Sequence, residues 1–210
     1  MTFKLICFDM DGVLFDQRNF WMEVHKVFGT LEEGKVLTET YLHADYEKLI
    51  EEVIGRLWLG RDATPYYELV NSLQYIPGIA ELFAHIKKEG YMTAIISGAS
   101  LAVARRVQKD FGVDFLLAND VRIENNKFTK DFFWPVGNGH DNKAELVKQL
   151  SKLLSIPLEQ ITFIGDSQND AAAFKIVGTS IAFNTDDDDV LAKATHQVKA
   201  KDLRQLIPLL

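Results

Sequence analysis

Two aspartates stand two residues apart in Asp9-Met10-Asp11-Gly12-Val13, directly behind the apolar run Leu5-Ile6-Cys7-Phe8. At a strand exit such a pair can face one pocket. One carboxylate can attack phosphorus, and the other can protonate a leaving oxygen and later activate water. The same residues also suit a capped turn, because Asp and Gly favour turns. A second cluster, Ser97-Gly98-Ala99, follows Ile95-Ile96. A hydroxyl with backbone N–H groups at a helix start makes an anion site, although serine is also a routine helix cap. Lys143 opens a helix behind Asp141-Asn142. The helix macrodipole disfavours a cation there, so this lysine either lies in solvent or meets an anion. The fourth cluster, Gly165-Asp166-Ser167-Gln168-Asn169-Asp170, follows Ile161-Thr162-Phe163-Ile164. Mg²⁺ takes hard carboxylate oxygens, and converging carboxylates repel unless a cation sits among them.

Short apolar runs must position these clusters. Residues 5–8, 93–96, 115–118, 161–164 and 180–183 read as buried parallel strands. Helical patterns lie between them. Ile79, Leu82, Phe83 and Ile86 follow Pro77-Gly78 and stop at Gly90, and residues 101–111 stop at Gly112. Leu146, Val147, Leu150, Leu153 and Leu154 form one stripe ahead of Pro157. The alternation predicts an α/β fold, an open parallel sheet with helices on both faces. Ligands then bind outside the carboxyl ends of the strands, where all four clusters meet. Residues 17–75 break the rhythm. Phe20, Trp21, Val24, Val27 and Phe28, then Leu49, Ile50, Val53 and Leu57, are spaced for helices throughout. This predicts a small helical insertion, 17–75, in a core made of 1–16 and 76–210. Trp21, Trp58 and Tyr66-Tyr67 are expected in the insertion's interior. Residues 121–128 alternate around Asn125-Asn126 and predict a hairpin. The acidic run 186–189 reads as a solvated loop before a short helix.

Composition narrows the function. The chain has 210 residues, 47% of them hydrophobic and 25% charged, enough for an unstapled core. A net charge of −7 argues against nucleic acid and anionic membrane as partners. An anionic substrate therefore needs local positive charge or a metal. The lone Cys7 excludes an internal disulfide and suits a reducing cytosol. Residues 1–8 resemble neither a signal peptide nor a membrane span, so a cytoplasmic location is expected. The five histidines share no metal-ligand spacing.

In this order the clusters resemble the signature of the haloacid dehalogenase-like (HAD) phosphatases over nearly the whole chain. That signature is Asp-x-Asp-x-Thr/Val, a Ser or Thr after a hydrophobic strand, a Lys, and Gly-Asp-x-x-x-Asp. The resemblance implies a Rossmann-like core, with residues 17–75 as a cap. It implies that Asp9 is the nucleophile and forms an aspartyl-phosphate, and that Asp11 is general acid, then base. Mg²⁺ would be held by Asp9, the backbone carbonyl of Asp11, and Asp166. Asp170 would support the metal and pair with Lys143. Ser97, the Gly98 amide and Lys143 would hold phosphoryl oxygens, with Asn169 also at the substrate.

The phosphoserine phosphatase-like branch matches best, through the helical insertion, the hairpin, Ile96-Ser97-Gly98 and Tyr46-Glu47. That branch reads serine with a Glu and an Arg. Here Arg18 falls on the Glu position. The Arg position falls near Glu51 to Val53, with Arg56 the nearest arginine, and Ala99 replaces a second glycine. A carboxylate does not do an arginine's work toward an amino acid carboxylate. A small phosphorylated metabolite is implied, with phosphoserine one candidate. Arg18 either binds an anionic group of another substrate or lies on the surface. Phe132-Phe133-Trp134-Pro135 packs a loop, lines the pocket or forms a subunit contact. Two alternatives stay open: a phosphomutase or other phosphotransferase, and a non-catalytic phosphate-binding module. The filled Asp9 and Lys143 positions argue against the last. The oligomeric state is left open.

Overall fold

The apolar run at the start becomes β1 (Leu5–Phe8), buried on both faces because it lies at the centre of the sheet. Ile6 and Phe8 join one hydrophobic cluster, while Leu5 and Cys7 join the other, as the two-residue period of a strand requires. The computed structural model describes residues 4–138 and 140–210. The other strands are β2 (Met92–Ser100), β3 (Phe115–Glu124), β4 (Lys127–Phe133), β5 (Ile161–Gly165), β6 (Thr179–Phe183) and β7 (His196–Val198). Their order is β4-β3-β2-β1-β5-β6-β7, parallel except for β4. Phe8 pairs with Ile95 of β2 on one side and Ile164 of β5 on the other. The chain turns outward to β2 and β3, then returns to the far side of β1 at β5. That reversal opens a crevice beyond the carboxyl end of β1.

Four helices, α1 (Phe20–Val27), α2 (Leu31–Tyr41), α3 (Tyr46–Glu52) and α4 (Thr64–Ser72), with a π-helical stretch at Val53–Trp58, fill the segment after β1. The remaining helices are α5 (Ile79–Glu89), α6 (Leu101–Phe111), α7 (His140–Leu154), α8 (Ala171–Phe174) and α9 (Asp188–Leu191). Leu82, Phe83 and Ile86 of α5 and Val103 and Val107 of α6 pack with Ile6 and Phe8. Val147 and Leu150 of α7 and Ala173 and Phe174 of α8 pack with Leu5 and Cys7. Helices thus cover both faces, as the alternation predicts. Phe20, Val24, Trp58 and Tyr66 share the first of these clusters, joined by Phe128 of the hairpin. The hairpin is stitched to the helical segment by backbone bonds, Gly60 N–H to Phe128 O and Ala63 N–H to Asn126 O, both 2.9 Å. Its turn carries Asn125 and Asn126 at φ 50° and 60°.

Some expectations need correction. Residues 115–118 and 121–124 are one strand, β3, whose first half pairs with β2 and whose second half pairs with β4. β7 has three residues with only Val198 buried, too short and polar to show as an apolar run. Leu153 is 73% exposed and leaves the α7 stripe. Tyr67 is exposed, and Trp21 is only partly buried, whereas Trp58 and Tyr66 are interior as expected.

Candidate active site

Asp9 leaves β1 with its N–H still bonded to Ile164 O at 2.9 Å, so the sheet fixes its backbone. Its Oδ1 accepts the Met10 N–H at 2.7 Å, and its Oδ2 lies 2.8 Å from Lys143 Nζ. The chain then turns tightly, with the Val13, Leu14 and Phe15 N–H groups all directed at Met10 O. Gly12 sits in this turn at φ +76°, and a Cβ there would fall 2.1 Å from Asp166 Oδ2. Only glycine allows both the backbone conformation and the approach of Asp166. Asp11 accepts from Gln17 Nε2 at 2.9 Å and from the Phe20 N–H at 2.7 Å. Burial pushes its carboxyl up to about 6, against the pull of those two donors.

Lys143 lies in the first turn of α7 and is fully buried, so the surface reading is excluded. Its Nζ meets Asp170 Oδ1 at 2.7 Å, Asp9 Oδ2 at 2.8 Å and Asn169 Oδ1 at 3.1 Å. An ammonium has three donors, and all three are engaged within the protein. Lys143 is thereby directed at the carboxylates of Asp9 and Asp170. Burial alone would lower its pKa, but Asp170 and Asp9 outweigh burial and hold it above the ordinary value. Asp170 Oδ2 accepts the Asp166 and Ser167 N–H groups at 3.0 and 3.1 Å. A Cβ on Gly165 would lie 2.3 Å from Asp170 Cγ, so the glycine makes room for that carboxylate.

Asp9, Asp166 and Asp170 each bring one oxygen within 4.8 Å of the others. Asp11 stands outside this group by its side chain, leaving only its backbone carbonyl for the metal role expected of it. Burial, then Asp9 and Asp170, push Asp166 up to about 8. Three carboxylates face one ammonium, so the cluster carries excess negative charge. A hard dication is the group that such an all-oxygen donor set fits.

Ser97 and Gly98 sit in a bulge of β2, not at a helix start. Ser97 pairs with Ala118, and the next pair, Ser100 with Asn119, skips Gly98 and Ala99. Ser100 is the cap of α6, accepting the Ala102 N–H at 3.1 Å, and Ser97 Oγ accepts the Ala99 N–H at 3.2 Å. Asn119 was not singled out from the sequence, yet it organises this corner. Fully buried, it donates to Gly98 O and Gly137 O, both at 2.9 Å, and accepts from the Val136 and Gly137 N–H groups. Asn184 likewise donates to Gly12 O at 3.1 Å. Each follows a strand's apolar run, the positional rule that exposes the four clusters.

These parts line a cleft of about 370 Å³. One wall, from the sheet ends, carries Asp9, Asp11, Ser97, Gly98, Asp166 and Asn169. The other, from the helical segment, carries Arg18, Asn19, Trp21, Leu42 and Tyr46. Trp21 Nε1 donates to Gly98 O at 2.8 Å, tying the walls together. Arg18 is exposed but on the cleft, whereas Arg56 is off it, paired with Glu52 at 3.3 Å. Trp134 stacks on Trp21 at 5.0 Å, while Phe133 is 68% exposed. Asp187 also reaches the cleft while capping α9.

A family model described as haloacid dehalogenase-like hydrolase matches residues 6–175. A phosphoserine phosphatase of Methanocaldococcus jannaschii is 27% identical over 209 residues, covering 97% of this chain and 96% of the relative. One of Archaeoglobus fulgidus is 27% identical over 183 residues, covering 86% of this chain and 52% of the relative. The chain thus spans about half the length of that second relative. A solved phospho-aspartyl intermediate analogue of phosphoserine phosphatase superposes with a TM-score of 0.85 at 24% identity, covering all of both chains. That likeness establishes the fold.

Proposed function

We propose a reaction on one premise: the chain belongs to the haloacid dehalogenase-like hydrolase family. We read it as a phosphomonoester hydrolase with Asp9 as nucleophile. The carrying observation is the buried Lys143, which holds Asp9 and Asp170 at 2.8 and 2.7 Å. It places a positive charge beside Asp9 and, with the Met10 N–H, fixes its direction. A carboxylate oxygen of Asp9 forms a bond to phosphorus as the bond to the alcohol oxygen breaks. Asp11 gives its proton to that oxygen. Asp11, now ionised, takes a proton from water as the water oxygen attacks phosphorus, which frees Asp9 and releases phosphate. A pKa near 6 suits a carboxyl that must both give and take a proton. The Ser97 hydroxyl, the Gly98 amide and Lys143 bind phosphoryl oxygens, with Asn169 also at the substrate.

Asp9, Asp166 and the Asp11 carbonyl would hold Mg²⁺, with Asp170 behind them. When bound it supplies charge neutralisation and alignment at phosphorus. We take residues 17–75 as a cap over a core of 1–16 and 76–210. The substrate is a small phosphorylated metabolite, and phosphoserine, in the names of both relatives, is the first to test. The acidic surface disfavours nucleic acid, and among the described residues no helix is long and apolar enough to cross a membrane. The buried free Cys7 fits work in the cytoplasm.

The test is hydrolysis of p-nitrophenyl phosphate with Mg²⁺, with Ca²⁺, and with chelator. Turnover is expected with Mg²⁺ alone and to vanish in Asp9→Asn. Ca²⁺ takes looser, higher coordination and should spoil the alignment. Full activity of cleanly purified Asp9→Asn, or indifference to chelator, would sink the reading.

A further inference from the structure

With the phosphoryl group at Asp9, the alcohol half of the substrate meets the helical wall of the cleft. That wall carries Arg18, Asn19, Trp21, Leu42 and Tyr46, and none of these is an acid. An amino group brought against it would lose water without gaining a carboxylate. Among the described residues, the acids of the cleft come from the sheet side and already have work. Lys143 holds Asp9, Gln17 and the Phe20 N–H hold Asp11, Asp187 caps α9, and Asp166 belongs to the carboxylate cluster. The wall therefore selects against an alcohol bearing an ammonium group.

The same wall borders a second, mostly apolar cavity, whose lining also includes His25 and Thr38. This cavity, of about 120 Å³, shares Asn19, Trp21, Leu42 and Tyr46 with the cleft. Its further walls include Leu49, Ile50, Val53, Ile54 and Trp58, buried side chains of the third helix and the π-helical stretch. A dry apolar cavity of roughly 150 Å³ takes benzene, so this one has room for a short hydrocarbon. We infer that the substrate is the phosphomonoester of an alcohol with a short apolar tail and no ammonium, its tail seated in this side pocket. This rests on the phosphatase reading above. It also makes the π-helical stretch, the pocket's floor, a determinant of specificity.

The experiment measures kcat/KM for n-alkyl phosphates from methyl to hexyl, with phosphoserine and acetyl phosphate alongside. The wild-type value is expected to rise roughly two- to fourfold per methylene until the pocket is full, then fall. Propyl phosphate is expected to exceed phosphoserine by about fivefold or more, the low end of the cost of an unpaired polar group. Val53→Phe narrows the pocket and should move the maximum to shorter chains. A flat series, a maximum that stays put in folded Val53→Phe, or a preference for phosphoserine overturns the inference. Hydrolysis of acetyl phosphate in that case leaves the phosphatase reading standing. No turnover of any substrate, acetyl phosphate included, overturns both.

Discussion

The two walls of the cleft are built by different physics. On the sheet side, Lys143, Asp170 and Asp9 are placed by partners of fixed geometry. Lys143 has three, Asp170 has three, and Asp9 is held by a backbone N–H and an ammonium. On the helical side, Arg18 reaches out exposed, and the other groups are placed by packing: Trp21 against Trp134 and Trp58, Tyr46 edge-on to Trp134. Removing a partner from the first wall leaves a buried charge stranded. A change in the second wall alters a shape. The proposed chemistry thus rests on electrostatics, and the proposed selectivity on packing.

The largest break comes from Lys143→Met. It strands Asp9 and Asp170, and stability is expected to fall by ~3–5 kcal/mol in urea unfolding, with turnover lost. Gly12→Ala is next. Its positive φ alone costs about 1–2 kcal/mol, and the added Cβ pushes on Asp166. The apparent Mg²⁺ affinity, read by chelator titration, should fall as well. Unchanged Mg²⁺ affinity would separate Asp166 from the metal.

The helical side offers a subtler probe. His25 is buried, shares a 2.8 Å hydrogen bond with Thr30 Oγ1, and packs so tightly on Gly34 that a Cβ there would lie 2.6 Å from the ring. Burial lowers its pKa from 6.5 to about 4, with Thr30 and Glu33 pulling back only in part. The unfolded state binds the proton more readily, so this stability is present above 6.5 and lost as pH falls toward about 4. Urea midpoints across that window should fall less steeply in His25→Gln. The smallest stability effect belongs to Arg18→Ala, within about 0.5 kcal/mol. Its substrate profile should shift while Mg²⁺ affinity holds, and an unchanged profile would return Arg18 to a plain surface role.

The same contrast explains what the sequence made legible. Asp9, Asp11, Lys143, Asp166 and Asp170 stand out because charge behind an apolar strand is rare and needs a reason. The strand at residues 5–8 matches to the residue, and that at 161–164 falls one short of β5 at Gly165, because burial on both faces leaves a continuous apolar run. Asn119 stayed hidden because an amide behind an apolar run carries no charge, and its role needs the 134–138 loop folded beside it. The shift of the α6 cap from Ser97 to Ser100 depends on a bulge that no periodicity announces. Leu42, Tyr46 and Trp134 come from separate elements and meet only through packing, so the side pocket was invisible in the chain.

The central claim is that Asp9 carries the phosphoryl group. The direct measurement is acid quench during turnover of the wild-type protein with Mg²⁺, borohydride reduction, and peptide mass analysis. An aspartyl-phosphate at Asp9 is reduced to homoserine at that position, and homoserine at position 9 is the expected result. Continued turnover with unmodified Asp9, or with the modification at another carboxylate, would contradict the account.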